Sequence, residues 1–155
     1  MNFLRALPYL ALGVAMSAQI IDLKPDGGGD LTIGGVAYRF ELTGLMSAPP
    51  RDGLPGAIRL EGDLVPRKGG RPFHMVLTVL KNGSLYLMHM ERGAPHAYPD
   101  NWAATPKTRT RALKLEDRPG GRIELRCEGP VTGIIAKRPQ DATWSGTLWA
   151  TFPGG

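Results

Sequence analysis

A chain of 155 residues fits one domain with a core of its own, and 42% hydrophobic with 21% charged residues is ordinary globular composition. Its 21 glycines and 14 prolines favour short strands and turns over helices, while a formal charge of +5 suits anionic partners without fixing a fold. The single cysteine, Cys127, excludes an intramolecular disulfide and lies too far from the N-terminus to be a lipobox residue.

Residues 1–17 have the layout of a signal peptide. Arg5 supplies the positive start, Ala6 to Met16 an apolar run, and Ala15-x-Ser17 or Met16-x-Ala18 a small-residue cleavage site. This predicts export to the periplasm or medium. The alternative is an uncleaved membrane anchor over residues 4–21, although a spanning helix needs about 20 apolar residues. Residues 18–30 read as a glycine-rich linker. Asp22, Asp26 and Asp30 lack the spacing and closing glutamate of a calcium loop, and the glycine run lacks the Lys-Ser/Thr of a phosphate loop. A single β domain is left for residues 31–155.

Val36, Tyr38, Phe40 and Leu42 alternate with polar residues and predict a strand with one buried face, preceded by a bulge or tight turn at Gly34-Gly35. A proline-rich loop follows over residues 46–56. The next strand, residues 57–65, turns Ile58, Leu60 and Leu64 inward and Arg59, Glu61 and Asp63 outward. Asn82-Gly83 then joins two β-rich runs as a hairpin. A two-residue loop sets Val79 against Tyr86, Leu77 against Met88 and Met75 against Met90, burying Phe73, Met75, Leu77, Val79, Tyr86, Met88 and Met90 on one face. On the other face His74 stands opposite Glu91, with His89 nearby.

Residues 93–106 show neither helical nor strand periodicity, yet carry His96, Tyr98 and Trp102. They are expected to fold back and plug one end of a barrel, with contact to a sugar or peptide as the other reading. A second hairpin spans residues 108–128. A three-residue loop, Pro119-Gly120-Gly121, sets Leu115 against Leu125 and Leu113 against Cys127, and places Arg109 and Arg111 at the rim of the core face. Cys127 alternates with Ile123 and Leu125, which predicts a buried, inert thiol. A strand over residues 131–137, a turn at Pro139-Gln140-Asp141 and a last strand over residues 143–152 complete the chain. That last strand turns Trp144, Leu148 and Phe152 one way and Trp149 the other.

About eight evenly spaced strands with no convincing helix predict an all-β fold, an antiparallel barrel or sandwich. No nucleophile has an activating partner at motif spacing, and Ser145 in TWSG does not match a nucleophile elbow. The leading expectation is therefore a non-enzymatic cell-envelope binding protein. Arg109, Arg111, His96, Tyr98 and Trp102 would capture an anionic envelope polymer or an acidic protein surface, with nucleic acid disfavoured by export. One alternative is a metal-binding protein or metalloenzyme holding a divalent transition metal at His74, His89 and Glu91, two imidazoles and a carboxylate. A second is a barrel enclosing a small apolar ligand. Residues 144–152, read as an unpaired final strand, offer an edge for self-association.

Overall fold

The computed structural model describes residues 25–93 and 98–154. Nine strands make one antiparallel sheet: β1 (Asp26–Ile33), β2 (Val36–Ala48), β3 (Ala57–Pro66), β4 (Phe73–Leu80), β5 (Leu85–Arg92), β6 (Asp100–Ala104), β7 (Arg109–Leu115), β8 (Arg122–Ile135) and β9 (Arg138–Thr151). Pairing of β6 with β8 closes eight of them into a barrel and leaves β7 as an extra strand on the lower half of β8. The all-β expectation holds, and of barrel and sandwich the chain forms the barrel. The signal or anchor segment lies outside the described residues.

The β4–β5 hairpin supplies much of the core. Met75 pairs with Met90, Leu77 with Met88 and His74 with Glu91, as the alternation predicts, and Phe73, Met75, Leu77, Val79, Met88 and Met90 are buried. The turn differs from the expected two-residue loop. Leu80 accepts from the Gly83 N–H and donates to Ser84, so Lys81, Asn82 and Gly83 form a three-residue loop with Gly83 at φ 86°. A three-residue loop shifts the register by one, and a bulge at Tyr86 shifts it back: Val79 pairs with Leu85, but Thr78 with Leu87. Tyr86 is the residue expelled. It is 66% exposed instead of buried.

Some other expectations fail where glycines or charges mislead the pattern. Asp26 to Asp30 is no hinge, because Gly27, Gly28 and Gly29 lie inside β1 between β2 and β9. Neighbours supply the missing side chains. Leu42 reaches the place of a Gly27 Cβ, the Trp149 indole covers Gly28, and Leu148 fills the space at Gly29. Gly34-Gly35 is the tight turn joining β1 to β2, with both φ angles positive. Between β7 and β8, Glu116 donates to Arg122, so the loop runs from Asp117 to Gly121 and is longer than expected. With a further bulge at Leu113, Cys127 faces Thr110, and Leu113, Arg109 and Arg111 point out from the wall instead of lying at a rim. Residues 100–104, read as structureless, are β6. The β8–β9 turn is Ala136-Lys137, not Pro139 to Asp141, and residues 144–152 are no edge, since β9 pairs with both β1 and β8.

The barrel interior depends on alternating small and large side chains. Gly62 sits on the inward face of β3 between Leu60 and Leu64, and the Phe40 ring occupies the room it leaves. A Cβ there meets the Glu41 carbonyl and stands 2.7 and 2.8 Å from Phe40 Cε2 and Cζ. Gly62→Ala is therefore expected to destabilise the barrel by about 1–3 kcal/mol, read from the urea midpoint at unchanged m-value. A variant as stable as the wild type would show that the Phe40 ring is not packed in that space.

Candidate functional site

Arg109 and Arg111 lie on the outer wall of β7, which pairs with β8 alone. Opposite Arg111 across the ladder stands Arg126, also exposed, and no described carboxylate lies within ion-pair distance of either. Like charges directly opposed on neighbouring strands destabilise the pair. Arg109 faces Glu128 in register, yet its guanidinium turns to the carbonyls of Pro106 and Thr108, at 2.5 and 2.9 Å. Arg109 is thus held beside β8 without being neutralised, and Arg111 and Arg126 have no described acidic partner. Of the outward carboxylates nearby, Glu116 is engaged by Lys114 and Arg118 and Glu124 by Arg122, while Glu128 stands exposed beside Arg126 outside ion-pair distance.

His74, His89 and Glu91 share the outer face of β4 and β5, but their side chains divide into two groups. His74 reaches back to β3, with Nε2 2.9 Å from Glu61 Oε1 and Nδ1 3.2 Å from Asp63 Oδ1. His89 Nε2 meets Glu91 Oε2 at 3.3 Å. Among the described residues no three His, Cys, Asp or Glu side chains gather in a form able to hold a metal ion. Partial burial opposes the charged form of His74. The hydrogen bonds and charges of Asp63 and Glu61 outweigh it and hold the His74 pKa above its ordinary value.

At the upper end the strands leave a cavity of about 370 Å³, lined by Tyr38, Phe73, Arg92, Trp102, Gln140 and Asp141 among others. Trp102 is 6% exposed and lines this mouth from β6, a strand of the barrel wall and not a loop folded back as a plug. Tyr98 is 87% exposed, and His96 lies outside the described residues. The structure therefore separates the expected binding set. Trp102 lines the mouth, Tyr98 stands exposed before β6, and Arg109 and Arg111 lie on the wall of the lower half.

Three mouth residues had not been singled out: Tyr38, Arg92 and Asp100. Alternation contains the signal, because Arg92 is two residues beyond inward Met90 and Asp100 two before inward Trp102. The two pair across the β5–β6 ladder, and Arg92 Nε and Nη2 donate to Asp100 Oδ2 at 3.2 and 2.7 Å. Arg92 also lies 4.3 Å above the centre of the Phe73 ring. The other oxygen of Asp100 accepts the Ala136 N–H at 2.8 Å, so the carboxylate anchors a turn whose two residues, Ala136 and Lys137, hold φ of 51° and 64° without being glycine. The hydrogen bonds from Arg92 and Ala136 keep the Asp100 carboxyl below its ordinary pKa. Burial raises the Tyr38 phenol, against a smaller opposing effect of the Arg92 charge.

Cys127 is buried, and burial pushes its thiol up to about 12, which removes it as a nucleophile at neutral pH. Comparison of the chain with protein-family models, with curated proteins and with solved structures returns no match.

Two measurements check this electrostatic description. A raised His74 pKa gives stability that is complete below the unfolded value of about 6.5 and is lost as pH rises through the folded value. His74→Gln should lower the urea midpoint relative to wild type at pH 5.5, with the difference vanishing toward pH 9; a pH-independent difference would contradict the pairing. Cys127 should react with a disulfide reagent only in denaturant, and rapid labelling of the native protein would contradict its burial.

Proposed function

We propose that the chain is a non-enzymatic binding module of the cell envelope, which captures an anionic polymer on the outer wall formed by β7 and β8. One observation carries this reading: Arg111 and Arg126 are opposed across the ladder with no described carboxylate to neutralise them. Such a pair works against folding, so a role outside the fold accounts for it best. Arg109, held against backbone carbonyls, and exposed Lys107 in the preceding turn extend the positive surface. A row of guanidinium groups suits phosphate, sulfate or carboxylate groups repeated along a polymer.

The signal-like layout of residues 1–17 supports a periplasmic or secreted location, and the net charge of +5 supports an acidic partner. An acidic protein surface is the other partner of matching chemistry. No motif for nucleophilic or acid–base catalysis supports an enzyme.

The wall predicts opposite effects on stability and binding. Arg126→Glu converts a repulsive cross-strand pair with Arg111 into an attractive one, so the urea-derived stability should rise by about 0.2–1 kcal/mol. The same variant should leave a heparin column at lower salt than the wild type, with a shallower dependence of affinity on salt. Unchanged elution would remove this wall from the proposed function, and lost stability would remove the repulsion.

A further inference from the structure

We propose that the mouth of the barrel is a second and separate site, one that takes a small organic carboxylate held by Tyr38, Trp102 and Arg92. Tyr38 and Trp102 are only 5% and 6% exposed, and both line the cavity. No described residue hydrogen-bonds the Tyr38 hydroxyl or the Trp102 indole N–H, so both donors are free for a ligand. Both atoms keep some solvent-accessible surface, since neither is among the described side-chain atoms sealed off without a partner, and both residues line the cavity. Each presents a donor. The raised pKa of Tyr38 keeps its hydroxyl protonated across the physiological range.

Arg92 adds a charged donor, its charge shared with Asp100. Its Nε and Nη2 are committed to Asp100, which leaves Nη1 without a described acceptor and fixes the guanidinium plane over Phe73. Three donors around one cavity select a ligand rich in acceptors, and a guanidinium among them selects an anion. The surroundings agree. The turns at this end carry Lys68, Arg71, Lys137 and Arg138, all exposed and without a described acidic partner, against Asp141 on the lining. Such an excess raises the local concentration of anions.

The remaining lining sets the body of the ligand. Ile33 and Phe73 are fully buried beneath the cavity, and Val36 and Ala142 flank it. A volume of about 370 Å³ lies at the small end of ligand pockets. A short aliphatic or single-ring carboxylate fits that combination, and a polymer does not. The site stands on the upper half of the barrel, away from the arginines of β7 and β8.

The three tryptophans provide the test. Trp102 lines the mouth, Trp144 is sealed in the core, and Trp149 lies on the outer wall beneath Arg122. Acetate, octanoate and phenylacetate would be titrated into ¹⁵N-labelled protein at constant ionic strength, with octanamide and phenylacetamide as neutral matches, following the three indole N–H signals. At least one carboxylate should move the Trp102 signal saturably while Trp144 and Trp149 stay in place, and its amide should bind about tenfold more weakly or worse. Tyr38→Phe should weaken that carboxylate about 3–10-fold, with unchanged Trp144 and Trp149 signals showing that the fold survives. Arg126→Glu should leave it unaffected. A Trp102 signal that none of the acids moves overturns the site, as does equal binding of acid and amide. Wild-type affinity in Tyr38→Phe overturns it as well.

Discussion

At Gly129-Pro130 the chain gives up first a side chain and then an amide donor, and closure of the barrel depends on what that permits. Gly129 holds φ of 110°, and a Cβ there would stand 2.7 Å from the Lys107 carbonyl. The turn between β6 and β7 can therefore press directly against β8. It is secured by Thr108, whose hydroxyl donates to the Pro130 carbonyl at 2.5 Å and accepts the Thr105 N–H at 2.7 Å. Thr108 is 3% exposed, so both bonds are sheltered from water. Above this latch β8 pairs with β6, and below it with β7. One long strand thereby serves two short ones, and the sheet closes.

The two halves of the seam close differently. In the upper half β5, β6 and β8 form continuous ladders. In the lower half β7 pairs with β8 alone. It meets the β4–β5 turn through the Thr110 hydroxyl, which donates to the Gly83 carbonyl at 2.9 Å, and through Ala112 packed on Gly83. Lys81 and Asp117, 2.5 Å apart, pin the bottom. The free edge of β7 is defended by a bulge at Leu113 and by exposed Arg109 and Arg111, devices that discourage strand addition. Charge on β7 thus has a protective role as well as the binding role proposed for it. Beneath the mouth, Phe40, Leu60, Met75, Trp144 and other fully buried side chains fill the interior, which leaves the two surfaces, wall and mouth, as the places for recognition.

Much of this was legible from alternation. The inward faces of β2, β3, β4 and β9, and the pairing of His74 with Glu91, follow from side-chain parity. Turns were the weak point. Asn82-Gly83 marks a hairpin in either loop length, and the second irregularity at Tyr86, which restores the register, leaves no trace in the pattern. The glycine run of β1 hides a strand because its cover comes from Leu42, Leu148 and Trp149, distant in sequence. Ala136-Lys137 hides a turn because neither residue prefers positive φ, and the Asp100 carboxylate that supports it lies on another strand. The same reason separates the expected site residues. His74 turns to β3 because Glu61 and Asp63 together offer it two carboxylates, leaving Glu91 to His89, and residues 100–104 enter the barrel wall as β6.

Cross-strand nuclear Overhauser effects from β6 test the closed barrel most directly. Antiparallel pairing on both sides should give backbone contacts from Trp102 to Met90 on β5 and from Trp102 to Gly133 on β8 in one sample. Both sets together close the sheet and set Trp102 in the mouth. Contacts to β5 with none to β8 would describe an open sheet, and would contradict the latch at Gly129-Pro130 and the placement of every group that depends on it.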